Sequence, residues 1–290
     1  MTIDCRSALY MPASKQRLLA KGPLLAADAI IIDLEDSVAP DSKDTARAQA
    51  VSALTELNYG YRLRALRINA LDTVWHDDDV SSVVNAQPDA VVLPKVESAN
   101  DIRRLSAALD RTSAATDVGI WAMMESPMAV INAVEIAASV KDCPRLQMLL
   151  TGNNDLASAS GMPVTADRTA LMPWLMSFVA AAKAYSLTIL DGVYNHFTDM
   201  DGFRAECHQG VLMGMDGKTL IHPDQLSVAN EIFAPSAEAV AQAKAVVDAF
   251  ALPENAQAGV LQINGEMVER LHMKQAEALL ARAQRLSLRE

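Results

Sequence analysis

The chain has 290 residues and a formal net charge of −11. That length supports one substantial core or two small ones, and 51% hydrophobic with only 4% aromatic residues is a globular α/β composition rich in Ala, Leu and Val. The negative charge argues against non-specific nucleic-acid binding, which needs a cationic surface, so an anionic ligand has to be met by a local cluster such as Lys15, Arg17 and Lys21.

Short apolar runs at 7–11, 29–34, 63–69, 90–94, 119–124, 147–151, 187–191 and 209–213 read as strands. Between them lie Ala-rich stretches of helical periodicity, for example 98–111 and 128–140. Eight β-then-α units predict a (β/α)8 TIM barrel, an α/β fold, over residues 1–232. A doubly wound open sheet is the competing reading. It calls for a Gly-rich phosphate turn after the first strand, where Pro-Ala-Ser-Lys stands instead.

Residues 233–290 form a C-terminal helical arm in this reading. Ser236 is the expected N-cap of a helix reaching about Phe250, with Glu238 and Ala239 in its first turn. Pro253 and Gly259 punctuate the next stretch, Val260–Asn264 is strand-like, and a last helix runs from about Met273 to Leu286. The arm either packs against its own barrel or reaches a neighbouring subunit. Cys5, Cys143 and Cys207 are odd in number, far apart and without C-x-x-C spacing, which points away from a disulfide framework or a zinc site and toward a reducing compartment. Asp4 and Arg6 fall where a signal core would lie, and no run approaches the roughly 20 apolar residues of a membrane span, so the expectation is a cytoplasmic protein with no membrane partner.

Barrel enzymes build their sites at the C-terminal ends of strands. The polar residues there are Lys15 and Arg17 after the first strand; Asp33, Glu35 and Asp36 after the second; Arg67 on the third; Lys95 and Glu97 after the fourth; Glu125, Asp155 and Asp191 after the fifth, sixth and seventh; and Lys218 and His222 in the eighth region. Strand side chains alternate, so if Leu63 and Ala65 point into the barrel, Arg67 points at its mouth. Carboxylates where buried strands stop suggest a hard cation such as Mg2+, which prefers oxygen ligands and tolerates few from protein. Each position also has a plain reading: Asp155 as a helix cap, Glu125 as an ion-pair partner, Arg67 paired with Glu35 or Asp36 for stability, His222 as a packed histidine, and Glu97 and Asp101 on a solvated first turn.

Arg-Ser-Ala-Leu-Tyr-Met-Pro-Ala-Ser, Asp-Leu-Glu-Asp-Ser-Val-Ala-Pro, Arg-Ile-Asn, Leu-Pro-Lys-Val-Glu, Glu-Ser-Pro, Thr-Gly-Asn-Asn-Asp-Leu and Gly-Lys-Thr-Leu-Ile-His-Pro-Asp-Gln occur in that order. Together they resemble the citrate lyase beta-subunit-like family, the malyl-CoA and citramalyl-CoA lyase branch of the HpcH/HpaI aldolases. The resemblance implies a Mg2+-dependent enzyme, with Mn2+ a possible substitute, acting beside a coenzyme A thioester. It implies Glu125 and Asp155 as metal ligands, and Glu35 and Asp36 on the metal-bound waters. Arg67 would sit against the thioester oxygen, and Gly152, Asn153 and Asn154 would grip a small 2-oxo acid. Lys15, Arg17 and Lys21 would face the phosphates of coenzyme A. Glu269 stands in Met267-Val268-Glu269, where many lyases of the family carry Met-Ile-Asp, with the aspartate reaching in from a neighbouring subunit as acid/base.

The first reading is therefore a lyase that cleaves malyl-CoA, methylmalyl-CoA or citramalyl-CoA to an acyl-CoA and a 2-oxo acid, working as a homotrimer or hexamer. The tail glutamate, and Asn153 where threonine is common, keep a (3S)-malyl-CoA thioesterase open as the alternative on the same scaffold. Two further readings are an aldolase working without coenzyme A, which has no need of the Lys15–Lys21 cluster, and a non-catalytic subunit of a citrate lyase-type complex. Intact Arg67, Glu125 and Asp155 argue against the latter.

Overall fold

Strands β1 (Ser7–Pro12), β2 (Ala29–Asp33), β3 (Leu63–Arg67), β4 (Ala90–Leu93), β5 (Gly119–Met124), β6 (Leu146–Thr151), β7 (Thr188–Asp191) and β8 (Gly217–Leu220) close into a parallel barrel in sequence order. This is a computed structural model, and it describes residues 3–111, 117–255, 257–263 and 265–289. The helices are α1 (Gln16–Leu19), α2 (Lys43–Glu56), α3 (His76–Ala86), α4 (Ala99–Asp110), α5 (Pro127–Ile131), α6 (Ala133–Ala138), α7 (Asn153–Ser160), α8 (Met172–Ala184), α9 (Met200–Met213), α10 (Leu226–Ile232), α11 (Ala237–Ala251) and α12 (Arg270–Ser287). The architecture is the expected TIM barrel with C-terminal helices. No helix among the described residues is long and apolar enough to cross a membrane.

The strands read as apolar runs because both of their faces are buried, as parallel sheets demand. Ala8, Ala29, Ile31, Ala65, Ala90, Val92, Trp121, Met148, Leu150 and Leu190 form one core cluster, with Tyr10 and Leu63 packed against it. The alternation inside each strand makes this set the barrel's inner face. One step further along β2 and β3 stand Asp33 and Arg67, which are direct neighbours in register. Arg67 therefore continues the inward face of Leu63 and Ala65 to the barrel mouth, as strand parity predicts.

The eighth strand is not where the sequence placed it. Residues 209–213 are the last turn of α9, ended by Gly214 in the left-handed conformation (φ 90°). The apolar run there misleads because Leu212 is 88% exposed and Val211 half-exposed. The true strand, Gly217-Lys218-Thr219-Leu220, looks polar because its buried Lys218 is neutralised by groups from elsewhere in the chain. Gly217 is needed in it, since a Cβ there would lie 2.0 Å from the Cys5 carbonyl oxygen. Two smaller differences concern ends and breaks. The predicted 128–140 helix divides into α5, α6 and a single 3-10 turn, and β3 stops at Arg67, after which the Asn69 side chain donates to the Leu34 carbonyl and to Asp79. Cys5, Cys143 and Cys207 are buried free thiols.

The chain divides into two compact units, Met1–Asn230 and Glu231–Glu290. In the second, α11 begins at Ser236, whose hydroxyl accepts from the Ala239 amide. Val260–Ile263 and Glu266–Glu269 form an antiparallel hairpin, β9 and β10; Asn264, included in the predicted strand, lies outside the described residues. Ala243, Val246, Phe250, Val268 and Ala276 make a small core of its own for this unit. Its last helix starts earlier than predicted, at Arg270.

Candidate active site

Ion pairing organises the mouth of the barrel. Arg67, buried at the end of β3, presents its fork to Asp33: Nε donates to Oδ1 at 2.7 Å and Nη2 to Oδ2 at 2.8 Å. Its Nη1 lies 3.0 Å from Glu35 Oε2 and 3.3 Å from Asp36 Oδ2, and the Tyr10 ring covers the guanidinium at 4.9 Å. Burial works against the charge on Arg67, but Asp33 and Glu35 hold its pKa well above the usual value.

The turn after β2 is clamped on two sides. Asp33 accepts from the amides of Glu35 (2.9 Å) and Ser37 (3.1 Å). The buried Lys43 ammonium donates to the carbonyls of Leu34 (2.6 Å) and Glu35 (2.8 Å) and to Asn69 (2.7 Å). So fixed, the turn holds Glu35 under cover and leaves Asp36 open to the cavity.

Glu125, just past β5, is 4% exposed and accepts from the Lys95 amide at 2.6 Å. Lys95 adopts a left-handed backbone (φ 53°), uncommon for a residue with a Cβ, and this conformation accompanies the contact of its amide with Glu125. Its ammonium lies 3.6 Å from Glu35 Oε1. Gly152 gives Glu125 its room: a Cβ there would stand 2.5 Å from Glu125 Cβ and 2.6 Å from its Oε2. Helix α7 then begins at Asn153, so the amides of its first turn have no acceptor within the helix. Asp155 sits in that turn and lines the cavity. The cavity, about 340 Å³, is walled by Tyr10, Asp33, Asp36, Arg67, Asn154 and Asp155 on its polar side, with Met123, Val193 and Ile221 among its apolar groups.

The donor set is short of positive charge. Asp33, Glu35, Asp36, Glu125 and Asp155 face Arg67 and Lys95. Burial first, then the charges of Glu35 and Asp155, push the Glu125 carboxyl up to about 8. Burial likewise pushes Glu35 up to about 7, Asp36 and Asp33 adding to it and Arg67 and Lys95 opposing it. Glu35 Oε2 is buried with no aligned hydrogen bond, because Arg67 Nη1 approaches it closely but off-axis. An orphaned carboxylate oxygen and two acids held toward neutrality fit a hard divalent cation with its waters. Among the described residues no three ligand-type side chains converge on one point, so such an ion would take few protein ligands and keep water, as Mg2+ does.

The HpcH/HpaI aldolase/citrate lyase family model matches residues 6–223, the whole span that carries this site. The chain belongs to that family. It is 45% identical to a (3S)-malyl-CoA thioesterase of Cereibacter sphaeroides over 282 residues, covering 97% of this chain and 95% of the relative. An L-malyl-CoA/beta-methylmalyl-CoA lyase of the same organism is 33% identical over 306 residues, with the same coverage. Among solved structures, the protein CitE of Mycobacterium tuberculosis in complex with magnesium, acetoacetate and coenzyme A superposes with a TM-score of 0.78 at 28% identity, covering 96% of this chain and 97% of that one. This family member is an enzyme whose homologues act on CoA esters as lyases and thioesterases.

Of the residues singled out in the sequence, the fold gathers Glu35, Asp36, Arg67, Glu125, Gly152, Asn154 and Asp155 around one cavity mouth. Asn153 opens the same helix but is buried, and its Nδ2 reaches Asp191 at 3.2 Å. Asn154 instead pairs reciprocally with Asn195 across the mouth, at 2.8 and 3.2 Å. Lys15, Arg17 and Lys21 are exposed on α1 and its flanks, without a carboxylate partner among the described residues. Glu269 belongs to the second unit, where it is exposed at the N-cap of α12 and its amide donates to His272 Nδ1 at 2.9 Å. Asp33 and Lys95 are among the strand-end polar residues of the sequence, Asp33 as one of the carboxylates suggesting a cation; the structure instead commits Asp33 to Arg67 and two backbone amides and uses the backbone amide of Lys95. Asp33 was within reach of the parity argument used for Arg67, since Ala29, Ile31 and Asp33 alternate along β2. Nothing local marks the backbone of Lys95.

Proposed function

We propose that this enzyme hydrolyses a 3-hydroxyacyl-CoA thioester of the (3S)-malyl-CoA type to the free hydroxy acid and coenzyme A, with Mg2+ as its cofactor. The observation that carries this reading is the 45% identity to a thioesterase along nearly the whole chain, tail included, against 33% for a malyl-CoA lyase.

Glu125 and Asp155 would hold the ion directly, and Glu35 and Asp36 its waters. Bound there, Mg2+ supplies a Lewis acid that orients the hydroxy-acid end of the substrate. Arg67 faces the thioester carbonyl. Asp33 occupies the Nε/Nη2 edge of the guanidinium and the acidic turn occupies Nη1, so the group arrives pre-aimed and needs no reorganisation as the carbonyl oxygen gains charge. The first-turn amides of α7, at Asn153 to Asp155, are suited to a carboxylate of the acid portion. Lys15, Arg17 and Lys21 supply exposed positive charge for the phosphates of coenzyme A on a protein that is otherwise negative.

Glu269 is the candidate acid/base, delivered by a neighbouring subunit in a homotrimer or a hexamer built from trimers. Retro-Claisen cleavage to an acyl-CoA and a 2-oxo acid is the second reading. The match to the aldolase/citrate lyase family supports it, as does the chemistry: the charge that forms in cleavage lies on the same thioester oxygen.

Mass spectrometry of products from malyl-, methylmalyl- and citramalyl-CoA with Mg2+ decides. Free malate with free coenzyme A supports hydrolysis, and acetyl-CoA with glyoxylate supports cleavage. No turnover of any of the three would defeat both readings.

A further inference from the structure

We infer that Asp33 is a positioning residue that locks the guanidinium of Arg67 and the Glu35–Asp36 turn into one unit, so that thioester activation and cation binding are set by a single buried carboxylate. Each Asp33 oxygen takes one guanidinium N–H and one backbone amide: Oδ1 from Arg67 Nε and the Glu35 amide, Oδ2 from Arg67 Nη2 and the Ser37 amide, at 2.7 to 3.1 Å. A carboxylate has about four lone-pair sites, and these four donors fill them. Asp33 is 2% exposed and its acceptor sites are taken, so it has no capacity left to bind a cation or shuttle a proton. Its chemistry is therefore to hold other groups.

Two things are held. Strand pairing alone places Arg67 beside Asp33 but leaves the long side chain free to rotate; the two-pronged contact fixes the plane of the guanidinium. The amide bonds fix the residues that carry Glu35 and Asp36. Lys43 also grips this turn, but through carbonyls of Leu34 and Glu35, and its ammonium makes no contact with Arg67. Among the described residues only Asp33 hydrogen-bonds both the turn's backbone and the guanidinium. Burial raises and Arg67 lowers the Asp33 pKa, with the net result below the usual carboxylate value, in keeping with a group that stays ionised.

The inference rests on the roles proposed above for Arg67, Glu35 and Asp36, and its test separates the two. In Asp33→Asn the amide nitrogen, whichever oxygen it replaces, faces one guanidinium N–H and one backbone N–H, so the lock loosens on both the Arg67 side and the turn side. The expected result is a 10- to 100-fold loss in kcat with KM for the CoA ester changed less than about threefold, together with roughly tenfold weaker Mg2+ binding by calorimetry without substrate, the range seen for groups that orient metal ligands. Arg67→Lys supplies the second reading, and it remains available if Asp33→Asn does not fold. There the turn keeps both Asp33–amide bonds, so Mg2+ affinity stays within about threefold of wild type while kcat collapses. Wild-type kcat and Mg2+ affinity in Asp33→Asn would overturn the inference, and so would a tenfold loss of Mg2+ affinity in Arg67→Lys. A wild-type protein that neither binds Mg2+ nor turns over a CoA ester would instead defeat the functional reading.

Discussion

Where β7 ends beside β8, Asp191 and Lys218 meet Glu206 of α9 and Arg168 in a buried, charge-matched set: Lys218 Nζ lies 2.8 Å from Asp191 and 2.7 Å from Glu206, and Arg168 Nη1 lies 2.8 Å from Asp191. Across the barrel, at β2, β3 and β5, acids outnumber bases and Glu35 keeps an oxygen with no aligned donor. The same residue types give opposite outcomes. Burial would raise Asp191, but Lys218 and Arg168 hold it down at about 2, whereas Glu125 is pushed up to about 8. A balanced buried cluster carries structure. An unbalanced one at a cavity mouth is built to receive charge from outside.

The most severe disruption of the balanced cluster is Lys218→Met. It leaves the buried carboxylates of Asp191 and Glu206 with Arg168 as their one remaining cation among the described residues and should cost about 3–5 kcal/mol, the usual penalty for breaking a buried pair. Chemical denaturation reads it, and a loss under 1 kcal/mol would show that the cluster is not structural. Glu125→Gln tests the other side. It should lower turnover by roughly 100- to 1,000-fold, as loss of a charge-stabilising element does, yet leave the fold intact. The sign of its stability effect also follows. A carboxyl raised from 4.5 to about 8 contributes its stability below pH 4.5 and loses it as pH rises through 8, so metal-free Glu125→Gln should melt above the metal-free wild type at pH 9. A lower Tm for the variant would contradict the unbalanced-cluster reading.

A smaller effect should appear on acidification. Asp191, lowered from 3.8 to about 2, contributes stability that is complete above pH 3.8 and lost as pH falls through 2, on the order of 2 kcal/mol. Asp191→Asn should flatten the stability profile between pH 4 and 2; an unchanged acid limb would refute the role given to Lys218 and Arg168. The smallest shift is expected at Glu269. Glu269→Asp shortens the carboxylate by one methylene and should move the ratio of acetyl-CoA to free malate from malyl-CoA a few-fold toward C–C cleavage. If Glu269→Gln leaves all products at wild-type rates, the residue is only the cap of α12.

The sequence by itself determined the barrel and named most of the residues that gather at the candidate site. Strands β1 to β7 are legible because a parallel strand buried on both faces must be an apolar run, and Arg67 is placed because strand parity carries through from Leu63 and Ala65. Tertiary structure decided what depends on partners distant in sequence. Lys218 passes for a surface residue until Asp191 and Glu206 fold onto it, so β8 was read into the exposed end of α9. Asp33 reads as one more strand-end carboxylate until Arg67, 34 residues later, docks in register beside it. The backbone of Lys95 reaches Glu125 through a left-handed turn that no local pattern announces. Hydrophobic burial acts on each residue's own character and is written locally, whereas the meaning of a charge is set by its neighbours, which only the closed barrel brings together.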